Sequence, residues 1–176
     1  MATTVSAATW QCNHAATITN STGARHSFAK NFSHTLKDSN GDYLFDRVFA
    51  LTDYSLAVGT LDIDLYDLGT LDLGAGAGED NLGLSHANAR IIAMAFRNQV
   101  TGNAGVITID SSGLGASNWD QVYHDSSQFT FAEGAFRSDY FGESGKTVTD
   151  TTSHQLRLVA SVATCVIDLV FYSAQS

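Results

Sequence analysis

Strict alternation of apolar and polar side chains is the feature that most constrains what this chain can fold into. Leu61-Asp62-Ile63-Asp64-Leu65-Tyr66 interleaves apolar residues with carboxylates, and Phe129-Thr130-Phe131 repeats the pattern. Val166-Ile167-Asp168-Leu169-Val170-Phe171-Tyr172 follows it less strictly. Successive side chains on a strand point to opposite faces, so each segment reads as a strand with one dry and one wet side. Between these segments lie turn residues, drawn from 15 Gly and no Pro. Recurring short strands separated by turn chemistry predict an all-β fold, an antiparallel β-sandwich of jelly-roll-like form.

A chain of 176 residues is long enough for one substantial core. Residues 1–15 are small and polar and read as an N-terminal arm or first edge strand; residues 16–176 read as a single sandwich domain. Asn40-Gly41, the favoured pair for a type I′ turn, predicts a hairpin between His34–Lys37 and Tyr43–Phe45. Strands are expected around Val48–Leu51, Leu56–Leu68, Val106–Ile109, and near 128–131, 135–141, 155–162 and 164–172. The apolar run Ile91–Phe96 reads as a buried central strand. Ser85–Asn88 suits one helical turn, and Gly74–Gly78 a loop.

Charge narrows the partners. Nine Lys and Arg against 18 Asp and Glu give a formal net charge of −9. The cations stand singly, which opposes phosphate neutralisation and hence nucleic-acid binding. No segment is apolar and long enough to span a bilayer, and Met1–Ala8 lacks the basic and apolar regions of a signal peptide. The expectation is a soluble product of the cytoplasm. Cys12 and Cys165 lie near opposite ends and read as two unpaired thiols, with a bridge between first and last strands as the alternative.

No catalytic motif emerges. Gly74-Ala75-Gly76-Ala77-Gly78 lacks the Gly-Lys-Ser/Thr of a phosphate loop, and Glu79-Asp80 would repel a phosphate. Ser111-Ser112-Gly113-Leu114-Gly115 has the wrong order for a nucleophile elbow. The six His form no ligand pair at close spacing. Glu79, Glu133 and Glu143, in apparent loops, do not make a convincing glycosidase pair. The reading is therefore non-enzymatic, without a cofactor. Asp38–Asp42 resembles the start of a calcium loop but has its Gly at the fourth position. Asp62 and Asp64 share a strand face and could hold a calcium ion, although a solvated face explains the row equally well.

Trp119, Tyr123, Tyr140, Phe141 and Tyr54 fall in or beside loops. Exposed rings there would suit a glycan or a neighbouring subunit, and rim packing of the core is the simpler account. Trp10, in the arm, joins Trp119 and Tyr123 as a candidate interface residue.

The order of segments resembles small structural proteins of tailed bacteriophages over residues 45–176. The likeness is carried by Leu61–Leu65, then Leu71-Asp72-Leu73, a Gly-rich loop, and Ala89-Arg90-Ile91-Ile92-Ala93-Met94-Ala95-Phe96-Arg97-Asn98. Glu133-Gly134-Ala135-Phe136 and the closing Ile167–Ala174 follow. Many such proteins have Pro-Gly where this chain has Glu133-Gly134. The resemblance implies a virion component: a capsid decoration or cement subunit, made in the host cytoplasm, acting as a homo-oligomer on the major capsid protein or other virion subunits. A carbohydrate-binding sandwich and a tail or neck protein are the alternatives. It implies no catalytic residues.

Overall fold

The computed structural model describes residues 9–19, 25–36, 40, 44–45, 47–68, 87–110, 113–119, 129–162 and 165–175. The chain divides into two compact units, Met1–Leu44 and Phe45–Ser176. In the first, β1 (Thr9–Thr19) pairs antiparallel with β2 (Arg25–Thr35), from Thr9 opposite Thr35 to Thr19 opposite Arg25. Residues 9–15, read as part of an arm or first edge strand, lie in β1, and Met1–Ala8 lie outside the described residues. The reversal expected at Asn40-Gly41 is partly described: Asn40 lies in a turn, and the Leu44 N–H donates to the Leu36 carbonyl at 3.1 Å.

The second unit is all-β and sandwich-like. Its strands are β3 (Arg47–Leu56), β4 (Gly59–Asp64), β5 (Arg90–Asn98), β6 (Ile107–Ile109), β7 (Phe129–Phe131), β8 (Phe136–Tyr140), β9 (Lys146–Thr147), β10 (Gln155–Ala160) and β11 (Cys165–Ala174). One sheet has the order β4-β10-β6-β7 and the other β3-β11-β5-β8, with β9 also pairing β5. Every ladder is antiparallel. Among the described residues the helical content is limited to 3-10 turns, at Gly115–Ser117 and at Leu68.

Alternation dictates this layering. In β10, Leu156, Leu158 and Ala160 are buried while Gln155, Arg157 and Val159 lie between them on the other face. In β11, Cys165, Ile167, Leu169 and Phe171 are buried in the same two-residue rhythm. A slip of one residue would turn each such row to water, at about 1.5–3 kcal/mol per large side chain, so the register is strongly specified. On the inner face of one sheet Phe96 of β5 meets Phe171 of β11 edge-on at 5.8 Å, and across to the other sheet Phe96 approaches Phe131 of β7 at 6.4 Å. These rings bring both sheets into one core with Ile63, Ile107 and Leu158.

The expected central strand is β5, paired with β11 on one side and with β8 and β9 on the other. Its Ile91, Ile92, Ala93 and Met94 are all buried, which accounts for an unbroken apolar run instead of alternation. Part of the extra cover comes from the turn after β8. Gly145 has φ +62°, and a Cβ there would stand 2.7 Å from Ile92 Cδ1 and 2.8 Å from the Ile91 carbonyl oxygen. Only glycine suits both the backbone and the gap.

Candidate functional site

The connections of the sandwich separate into two ends. At one end the turns are short: β3–β4, β5–β6, β7–β8 and β10–β11. At the other lie the β4–β5, β6–β7 and β8–β10 connections, which are longer.

The long-connection end is built inward. Trp119, a candidate interface residue for which rim packing of the core was the simpler account, is fully buried. Its indole N–H donates to the Thr147 carbonyl at 2.8 Å, and its ring meets Phe141 edge-on at 6.0 Å. A ring of that size, with its one polar group satisfied, contributes more as core than as rim. In this fold it offers no exposed contact. Tyr54 and Phe141 also pack against the core. Tyr123 lies outside the described residues, as do the Gly74–Gly78 loop, Asp72 and most of Asp38–Asp42. Trp10 stands on β1 opposite His34.

The Asp62 and Asp64 row has protein partners. Asp62 and Arg157 face each other across β4 and β10, with Nε to Oδ1 at 2.6 Å and Nη2 to Oδ2 at 2.8 Å. This two-point pairing raises the Arg157 pKa, chiefly through the hydrogen bond to Asp62. Asp64 Oδ1 accepts the Tyr66 N–H at 2.9 Å and the Asp67 N–H at 3.2 Å, closing the turn that leaves β4. Among the described residues no group of three or more His, Cys, Asp or Glu is arranged to hold a metal ion.

The short-turn end is where polar order and exposed apolar groups coincide. Asn98, buried at the end of β5, donates from Nδ2 to the Gly105 carbonyl at 2.9 Å and the Phe131 carbonyl at 3.2 Å. Its own backbone exchanges hydrogen bonds with Ala135 and Gly134. One side chain thereby ties the β5–β6 loop to the β7–β8 turn. Ser161 ties in the β10–β11 turn: its Oγ accepts the Val106 N–H, and its N–H donates to the Val106 carbonyl, both at 2.9 Å. Gly105 sits so close to β11 that a Cβ would lie 2.6 Å from Cys165 Sγ. Cys165 itself is a free, buried thiol.

A polar cluster braces the face beside this end. The β3–β11 register shifts opposite Asp168, where Asp53 adopts φ +56°. The Asp53 N–H donates to Asp168 Oδ1 at 3.0 Å, and Gln99 Nε2 donates to Asp53 Oδ1 at 2.7 Å and Asp168 Oδ1 at 2.6 Å. Arg97 adds a longer ion pair to Asp168 at 3.9 Å. On the rim of this fixed framework stand Val58, Val100 and Phe136, 62%, 73% and 57% exposed. Each is a candidate for contact with a partner, since a large apolar group held in water on ordered backbone loses that exposure in an interface. Their exposure was not legible in the sequence: an isolated Val in a turn, or a Phe opening a strand, carries no pattern that tells a wet position from a dry one.

No protein-family model matches this chain, and neither a curated protein nor a solved structure is detectably similar to it.

Proposed function

We propose that this protein is a non-enzymatic virion structural subunit with a jelly-roll sandwich, a capsid decoration or cement protein that acts as a homo-oligomer. The observation that carries the reading is strand order. Counting β3 to β8, β10 and β11 as strands 1 to 8, the sheets read 2-7-4-5 and 1-8-3-6. The pairs 1·8, 2·7, 3·6 and 4·5 are those of one long hairpin, and rolling that hairpin adds 8·3 and 7·4. This order supports a jelly roll, an architecture that viral capsid and lectin domains share.

Choosing between those two uses depends on the surface. A glycan platform needs a row of exposed rings, whereas Trp119, Phe141 and Tyr54 pack into or against the core and Phe136 is the one ring more than half exposed among the described residues. A lattice subunit needs rigid apolar contacts, and the braced end bearing Val58, Val100 and Phe136 suits that need. In the proposed mechanism each copy bridges adjacent capsid subunits and adds contact area where internal pressure separates them. The N-terminal segment, Trp10 included, contributes to contacts with neighbours. Acidic charge keeps free subunits apart and away from packaged DNA.

Immunogold electron microscopy of phage particles from the source of this sequence tests the proposal. Label over the heads is expected. Label on tails would favour a neck or tail role, and unlabelled particles together with binding on a glycan array would replace the reading with a carbohydrate-recognition module.

A further inference from the structure

The β5–β6 loop carries an anion site that the chain fills with its own carboxylate. Glu133, in the β7–β8 turn, accepts at Oε1 from the Thr101 N–H, from the Thr101 hydroxyl at 2.7 Å, from the Gly102 N–H at 2.6 Å and from the Asn103 N–H at 3.3 Å. At Oε2 it accepts from the Ala104 N–H at 3.2 Å. Four successive backbone N–H groups converge because Gly102 and Ala104 take φ +81° and +51°, which turns the loop into a concave nest. Such a nest carries positive potential and holds an anion; a neutral acid in the same place keeps weaker hydrogen bonds.

We propose that Glu133 and the Thr101–Ala104 nest form an acid-sensitive clasp that fixes the β5–β6 loop, and Val100 with it, against the β7–β8 turn. Its position in the chain and one contact place Val100 in the device. It directly precedes the nest, and a Cβ on Gly134 would lie 3.2 Å from Val100 Cγ2, so loop and turn touch there. Protonating Glu133 removes the charge that holds four N–H groups together. The loop then loses this tie to the turn and keeps those through Asn98 and Val100.

The groups facing the carboxylate are all neutral: the Thr101 hydroxyl and the peptide N–H groups of Thr101 to Ala104. Charges on the neighbouring strands are engaged elsewhere. Arg97 and Asp53 belong to the Asp168 cluster, and Arg137 pairs with Asp139. The Glu133 pKa is lowered, first by the Thr101 hydroxyl and then by the Thr101 N–H, and no charged side chain contributes. A carboxylate whose folded pKa is depressed stabilises the clasp fully above its unfolded pKa, about 4.3. That stabilisation is lost as pH falls through the lower folded value. Neutral pH therefore keeps the clasp shut.

The consequence for a contact surface rests on the function proposed above; the clasp itself does not, and it is tested on the isolated protein. Amide exchange at Thr101, Gly102, Asn103 and Ala104 is followed by NMR against pH, alongside the titration of the Glu133 side-chain carboxyl. Protection, corrected for intrinsic exchange, is expected to fall about tenfold or more across that titration. E133Q, which keeps an acceptor oxygen without the charge, is expected to show the reduced protection at every pH. T101V, which removes one donor and leaves the nest, should raise the pH at which protection is lost. Protection in E133Q equal to the unmodified protein, or independent of pH in both, would overturn the clasp. An acid-opening clasp in a protein absent from virions would leave the clasp standing and remove the function.

Discussion

Gly105→Ala tests how tightly the short-turn end is seated on the sandwich. Gly105 lies outside the left-handed region, so alanine meets no backbone penalty and the effect is steric alone. The added Cβ would fall 2.6 Å from Cys165 Sγ and 2.9 Å from Val162 Cγ2, against a comfortable separation of about 3.5–4.0 Å. Cys165 cannot retreat, because it is 1% exposed and held opposite Leu56 in the β3–β11 ladder. Overpacking of this kind costs about 1–3 kcal/mol. Cys165→Ala alone removes one buried heavy atom, a loss of about 1 kcal/mol. In the double variant the new methyl group occupies space that the sulfur vacates, which relieves the closer of the two clashes and leaves that with Val162 Cγ2. The pair should then be more stable than the sum of the single effects by about 1–2 kcal/mol. Urea unfolding of the four proteins, at constant m-value, measures this directly. Additivity within about 0.3 kcal/mol, or a neutral Gly105→Ala, would refute the close seating of the β5–β6 loop on β11.

Other outcomes follow from the same geometry. Trp119→Phe removes the hydrogen bond to Thr147 and part of a fully buried ring, and should destabilise by about 2–4 kcal/mol in thermal unfolding. A change under about 0.5 kcal/mol would mean the indole is not core. Asp62→Asn weakens a pair whose Asp side chain is 36% exposed, so solvent screening holds the loss to about 1 kcal/mol or less, and added salt should shrink it further. Because Arg157 and the β4 turn already engage Asp62 and Asp64, millimolar calcium should leave the melting temperature unchanged. A calcium-dependent rise lost in Asp64→Asn would restore that row as a metal site.

Much of the strand content was legible because it depends on nearest neighbours in the chain. The alternation of Leu61–Leu65 and Val166–Tyr172 marks β4 and β11, and the unbroken run Ile91–Phe96 marks a strand covered on both faces. Sheet order was not legible. Pairing β3 with β11, or β4 with β10, joins residues about a hundred positions apart, and no local pattern encodes which wet face lies beside which. The depth of Trp119 was not legible for a related reason. A Trp in a loop-like stretch looks exposed until Thr147 and Phe141, distant in sequence, arrive to cover it. The Glu133 clasp was hidden as well, since its donors are backbone N–H groups that any sequence has; what marks the nest is the φ of Gly102 and Ala104. In the N-terminal unit, the two eleven-residue strands β1 and β2 carry no strict alternation that would have marked their length.

Homo-oligomeric assembly is the central claim that solution work reaches first. Light scattering on a size-exclusion column, with and without EDTA, gives the mass of the purified protein directly. The account predicts a closed oligomer, a trimer or larger, unchanged by EDTA and broken by replacing Val58, Val100 and Phe136 with Ser. A monomer at every concentration tested, identical in the triple variant, would contradict it.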